Sequence, residues 1–116
     1  MAVSFTTGLS EFDNIAFRSV VAEDYPLLTR WLKTPHMRKW WGEPELELGY
    51  IRDMVEDRDT TRPFLILLND KPIGYIQYWF IGEHQNEKWI AEHPWLLKLP
   101  PESLGIDLSL GEEDLL

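Results

Sequence analysis

The sequence contains no cysteine. Disulfides, thiolate nucleophiles and zinc–thiolate sites are thereby excluded. Long apolar runs are also missing: none approaches the roughly 20 residues that a membrane-spanning helix needs. The opening MAVSFTTGLSEFDNIAF has neither the basic start nor the apolar centre of a secretion signal. A soluble cytoplasmic protein with no membrane partner is the expectation. Basic residues are scarce, with 11 Lys and Arg against 20 Asp and Glu and a formal net charge of −9. Phosphate backbones are held by basic patches, so nucleic acid is not an expected partner. Acidic clefts attract amines, so a cationic small molecule is.

What is present fits a single folded unit. A chain of 116 residues is one domain at most. Hydrophobic content of 44% and charged content of 27% are globular proportions. Six tryptophans are many for this length. An indole needs an N–H partner when buried. Core and rim packing accounts for most of them, and some are candidates to line a site.

Residues 1–13 are polar and mixed and read as a flexible lead-in, which leaves 14–116 as the folded part. NIAFRSV (14–20) alternates as a strand does, with Ile15, Phe17 and Ser19 facing one way and Ala16, Arg18 and Val20 the other. AEDYPLLTRWLKT has helical spacing, with Glu23 and Asp24 at its positive end and Pro26 in its first turn. TPHMRKWWGEP predicts a helix break, one short helical turn and a loop. In ELELGYIRDMVEDR the apolar stripe is Leu46, Tyr50 and Met54 with Ile51 and Val55, and Arg52 and Glu56 form an i,i+4 pair.

The pattern then changes. RPFLILLNDKPIGYIQYWFIG is a hairpin signature with NDKP as its turn. FLILL reads as a strand buried on both faces, and Gly74 marks a bulge or a close backbone approach. Residues 83–103 predict a long irregular insertion with a helical turn at Glu87–Glu92. LGIDLSLG closes the pattern as a strand, with Ile106, Leu108 and Leu110 on one face and Asp107 and Ser109 on the other. The order is α/β, with a mostly antiparallel sheet and helices after the first strand.

Several stretches together resemble one family. FRSVVAEDYPLLTRWLKTPHMRKWWG (17–42), KPIGYIQYW (71–79) and GIDLSLG (105–111) are similar to the N-terminal half of the GCN5-related N-acetyltransferases (GNAT). Within that superfamily they most resemble the branch of aminoglycoside 6′-N-acetyltransferases and related siderophore-precursor acetyltransferases. The resemblance implies direct acetyl transfer from acetyl-CoA to an amine, which for an aminoglycoside acceptor is an antibiotic-resistance activity. It also implies that the strand over 104–110 guides the donor, with Ser109 and Leu110 offering backbone groups to the pantetheine arm. In the family a glycine-rich loop and a helix N-terminus follow this strand and cradle the pyrophosphate. The sequence stops at Leu116 before such a loop, so it reads as the N-terminal half of the domain, inactive by itself. The helix opening also departs from the family: Val21 or Ala22 stands where Ser or Thr is usual, and a lost cap costs about 1 kcal/mol.

Residue roles follow. Asp107 is either a solvated or salt-bridged position or, with the resemblance, the group that holds and deprotonates the acceptor amine. Trp41 is the first choice for substrate contact and Tyr50 the second, because aromatic faces attract ammonium groups. Trp40 is expected to anchor the core, and Glu43 and Glu45 to be wet. His36 is expected to secure the turn after Pro35. His84 and His93, beside Glu83 and Glu92, have no recognised metal spacing. The insertion is a candidate lid through Trp89 and Glu92. Two rival readings stand beside this one. The first is a siderophore-precursor acetyltransferase acting on hydroxylated lysine. The second is a half-domain that forms a homo-oligomer through the exposed edge of strand 104–110.

Overall fold

Residues 13–112 are described in the computed structural model of the chain. The lead-in expected over 1–13 lies outside them apart from Asp13, as do residues 113–116.

The first strand, β1, is Ile15–Ser19. A 3-10 turn at Ala22–Asp24 leads into α1, Tyr25–Leu32, with a proline in its first turn. As Val21 implies, no N-cap side chain accepts a helix N–H at this start, but the opposite bond is made. The Asp24 carboxylate reaches back to accept the Val21 N–H at 2.9 Å, and both Arg18 terminal nitrogens hold it at 2.9 Å. This is one half of a capping box, fixed in place by a cation. Helix α2 is Pro35–Trp41, longer than the single turn expected, and Gly42 ends it at φ +103°. That left-handed angle favours glycine.

Helix α3, Pro44–Val55, buries Ile51 and Met54 as expected but is turned so that Leu48, not Leu46 or Tyr50, joins them. Its buried residues are Pro44, Leu48, Ile51 and Met54, whereas Leu46 is 55% exposed and Tyr50 47%. Both stripes have helical spacing, and the broader apolar arc faces the core. The Arg52–Glu56 pair is replaced as well. Arg52 lies over the Tyr25 ring at 5.3 Å, and Glu56 pairs with Arg58.

Strands β2 (Arg62–Leu68) and β3 (Lys71–Phe80) form the hairpin. Asn69 and Asp70 both take positive φ, which gives the two-residue turn whose twist matches paired strands. At Gly74 a Cβ would come within 2.6 Å of the Ser109 carbonyl oxygen, and the β2–β3 register shifts between Ile66 and Leu67. The expected bulge and the close approach both occur there. After β3 the insertion folds into two 3-10 turns, Ile81–His84 and Pro94–Lys98, around a short α4, Glu87–Glu92. Buried Ile81 and Leu96 anchor it, and the Gln85 amide donates to the Leu96 and Leu99 carbonyls at 2.8 Å. Strand β4 is Leu104–Leu110. The sheet is an antiparallel meander in the order β1-β2-β3-β4.

The core lies between the helices and one face of the sheet. Leu28, Trp31, Leu32, Met37, Leu48 and Ile51 pack there against Leu65 and Tyr75. Trp40 takes no part in it. It is 79% exposed, whereas Trp41 packs edge-on against Tyr75 with ring centroids 5.5 Å apart. The opposite sheet face stays open. Phe17, Ile106 and Leu108 are each at least 60% exposed, and within FLILL only Leu65 and Ile66 are buried. Leu65 and Ile66 are neighbours and point to opposite faces, so the second strand is buried on both faces at its centre, as FLILL implies, and less so at Phe64, Leu67 and Leu68.

Candidate functional site

Alternation along β3 and β4 decides what faces α3. Cross-strand pairs Tyr75–Ser109, Gln77–Asp107 and Trp79–Gly105 place these side chains on the covered side of the sheet. Gly105 gives no side chain, and the Trp79 indole lies across it, where a Cβ would sit 2.1 Å from the ring. Asp107 stands in the middle of this group. Its Oδ2 accepts a hydrogen bond from Gln77 Nε2 at 2.9 Å, and Gln77 Oε1 accepts one from Tyr75 Oη at 2.6 Å. Burial, and then the charges of Asp107, Glu47 and Asp59, push the Tyr75 phenol well above the ordinary tyrosine range.

These groups open into a cleft of about 510 Å3. Trp41, Glu47 and Tyr50 form its helical side, Gln77, Trp79 and Asp107 its floor, and the insertion its far wall. That wall is a run of rings in edge and stacked contact. Trp79 meets His84 at 4.9 Å, His84 meets Trp89 at 5.0 Å, Trp89 meets His93 at 6.2 Å and His93 meets Trp95 at 6.0 Å. The histidines thus serve as rings among indoles. Among the described residues no cluster of three or more His, Asp or Glu is placed to hold a metal ion. Three carboxylates, Glu47, Asp59 and Asp107, border the cleft beside one lysine, Lys88. Burial raises the Glu47 carboxyl above its ordinary value. The arrangement offers aromatic faces and negative charge to a ligand that carries ammonium groups.

A second groove of about 390 Å3 is lined by Ser109 and Leu110 together with His36, Met37 and Trp40. Trp41 borders both spaces. The Ser109 hydroxyl is buried there without a hydrogen-bond partner. His36 does not merely secure its local turn. Its Nε2 donates to the Leu110 carbonyl at 3.0 Å, which ties α2 to the end of β4.

The structure therefore brings Trp41, Tyr50, Asp107 and Trp89 to one cleft, and Ser109 and Leu110 to the neighbouring groove. Glu43 and Glu45 are exposed, and Glu92 is exposed and outside the cleft lining. Sequence reasoning missed Glu47, Asp59, Gln77 and Trp79. For Gln77 a signal existed: it is the lone polar side chain within the apolar run IGYIQYWF. Glu47 lies two residues beyond Glu45 in one acidic stretch, and nothing in the sequence separates the half-buried carboxylate from the wet one.

Comparison with known proteins agrees with this architecture. The chain is 26% identical to aminoglycoside N(6′)-acetyltransferase type 1 from Klebsiella pneumoniae, over 85% of this chain and 49% of the relative. The same values hold for the protein of that name from Serratia marcescens. The crystal structure of aminoglycoside acetyltransferase AAC(6′)-Ib in complex with coenzyme A and kanamycin is similar, with a TM-score of 0.66 at 25% identity. That match covers 89% of this chain and 58% of the other. The chain thus spans about half the length of the curated relatives it matches. The family model described as acetyltransferase (GNAT) domain matches residues 20–116, and with the α/β sheet and its covered cleft this places the chain in the GNAT acetyltransferase family.

Proposed function

We propose that the cleft beneath α3 is the acceptor site of an N-acetyltransferase and that it holds an aminoglycoside with its 6′-amine at Asp107. The observation that carries this reading is the setting of Asp107: a carboxylate on a sheet floor, facing a cleft walled by indoles and bordered by two further carboxylates. An amino sugar presents flat apolar ring faces and several ammonium groups. The indoles pack against the first and the carboxylates hold the second. The relatives' acetylation of aminoglycosides, and the kanamycin bound by a neighbour, support the choice of acceptor.

Acetyl-CoA, the co-substrate, supplies an acetyl group at the energy of a thioester. The adjoining groove fits its arm, because the buried Ser109 hydroxyl lacks a partner there and the outer edge of β4 ends the described sheet. Ser109 and Leu110 are the residues that would hold it. An ammonium cannot attack a carbonyl until it loses a proton, and Asp107 is placed to accept that proton. As the N–C bond forms and the C–S bond breaks, the ammonium gives up two protons in all. One ends on the departing thiolate and one in solvent. Spanning about half of its relatives, the chain by itself binds the acceptor and turns it over little or not at all.

The test is calorimetric titration of the purified chain with kanamycin. Binding that weakens about tenfold in Asp107→Asn supports the reading. Tighter binding of N6-hydroxylysine than of kanamycin would move it to the siderophore-precursor class. The chain is expected to sediment as a monomer. A dimer without kanamycin binding would move the reading to self-association through β4.

A further inference from the structure

We infer that Gln77 is a positioning residue: it holds the Asp107 carboxylate in the orientation that receives the acceptor amine, and Tyr75 fixes which way Gln77 points. The inference rests on the acceptor reading above and adds two residues to it.

A glutamine amide has a donor end and an acceptor end that look alike in shape, so its direction must come from its neighbours. Here the direction is determined. Tyr75 is 2% exposed, and burial first, then the charges of Asp107, Glu47 and Asp59, oppose ionisation of its phenol. It therefore keeps its proton, and the hydroxyl has one hydrogen to give. Its short contact, 2.6 Å, is with Gln77 Oε1, while the Met54 sulfur at 3.7 Å is a weaker acceptor. Gln77 Oε1 accepts, so Gln77 Nε2 must donate, and it does so to Asp107 Oδ2 at 2.9 Å. Turning the amide over would set the phenol hydrogen against an NH2 group, donor against donor, and one carboxylate oxygen against a carbonyl oxygen, acceptor against acceptor.

The relay thus runs one way, from a fixed hydroxyl through a fixed amide to one oxygen of Asp107. A carboxylate tethered at Oδ2 keeps its other oxygen for a ligand. The tether also spans the two strands that carry the floor of the cleft, since Gln77 and Asp107 are directly opposite one another. Trp41 packs on the Tyr75 ring from the cleft side and holds the first member of the relay in place.

The test is a double-mutant cycle on the full chain, read by kanamycin titration, with the Gln77 side-chain amide followed by NMR. Gln77→Leu is expected to weaken kanamycin about fivefold, and Tyr75→Phe about twofold. In an Asp107→Asn background, Gln77→Leu should cause no further loss, because nothing remains to be oriented. One Gln77 amide proton should lie downfield in the unmodified chain and move upfield in Asp107→Asn. This measurement leaves Gln77 intact, so it stands even where Gln77→Leu fails to fold. If Gln77→Leu binds kanamycin like the unmodified chain while Asp107→Asn does not, the inference falls and the acceptor reading survives. Equal loss from Gln77→Leu in both backgrounds would make Gln77 merely structural. Unchanged binding in Asp107→Asn would remove the acceptor reading and the inference together.

Discussion

The two faces of the sheet carry opposite surfaces under opposite conditions. The face beneath the helices bears Arg18, Gln77, Asp107 and Ser109 among its apolar residues. The other face is apolar and aromatic across the strands, from Phe17 through Phe64 and Tyr78 to Ile106 and Leu108, and much of it is exposed. Coverage, not apolarity, makes the site. Where the cover is complete, as at Tyr75, a hydrogen bond or charge acts in a medium less polarisable than water and has more effect on its neighbours, while Arg18 and Asp107 on the same face keep contact with solvent. The shifts of Tyr75 and Glu47 are consequences of that cover.

The largest test of this contrast uses one residue from each face. Leu65 is fully buried on the covered side and Phe17 is 60% exposed on the other. Leu65→Ala is expected to lose about 3 kcal/mol of unfolding free energy, from lost transfer and the cavity left behind. Phe17→Ala should lose under about 1 kcal/mol, although more carbon is removed. Urea unfolding of both variants checks this. Equal losses would mean that the two faces are equally covered in solution, and the contrast would be gone.

A smaller effect is expected at the polar seam where β1 meets α1. Asp24 has a side chain only 11% exposed, and Arg18 and the Val21 N–H hold it. Burial pushes its carboxyl up, but these hydrogen bonds and the Arg18 charge outweigh burial and keep it below the ordinary value. A depressed carboxyl stabilises the fold fully above its unfolded value of about 4 and loses that contribution as pH falls through the folded value. Asp24→Ala should cost about 2 kcal/mol at neutral pH, less than a fully buried pair because Arg18 remains partly wet. The gap between the two proteins should narrow on acidification below about pH 4. A gap that stays constant with pH would show that the seam acts by packing alone.

Much of the fold was legible because periodicity and turn chemistry are local. Asn69-Asp70 marked the hairpin, Gly74 the irregularity and Glu87–Glu92 the helical turn. Alternation also grouped Asp107 with Ser109 and set them opposite Ile106 and Leu108. What alternation does not contain is which group lies under helices. A strand reads the same whether its apolar side is covered or open: FLILL is buried on both faces at Leu65 and Ile66, yet the similar alternation of Ile106 and Leu108 is left exposed. The same limit turned α3: Ile51 and Met54 are buried as expected, but Leu46 and Tyr50 keep helical spacing with Met54 just as Leu48 keeps it with Ile51, and only packing on the sheet left the first two exposed. Trp40 and Trp41 are a sharper case, since adjacent identical residues carry no local signal of which will be buried. The gathering of the cleft is long-range. Residues from α2, α3, β3, the insertion and β4 meet there, and only the family resemblance pointed to Asp107, Trp41 and Tyr50 as one set.

The smallest effect, and the one that asks most directly whether cover tunes the site, is at Glu47. Its carboxyl is raised by burial. A raised carboxyl favours the fold most when protonated, so its contribution to stability is full below the unfolded value and is lost as pH rises through the folded one. Ligand binding reverses this preference, because a bound ammonium offsets the cost of the buried charge. A cationic ligand should therefore bind best when Glu47 is ionised and weaken as pH falls toward the carboxylate range. Kanamycin's own amines also gain protons on acidification, but that change is common to any variant. The ratio of unmodified to Glu47→Gln affinity isolates the residue. It should be about threefold at pH 7.5 and approach one as Glu47 becomes protonated, earlier in the descent than an exposed glutamate would allow. A ratio that holds steady until an exposed glutamate would titrate would mean that the cleft is open to water at Glu47, and that the helical cover does not extend to the site's rim.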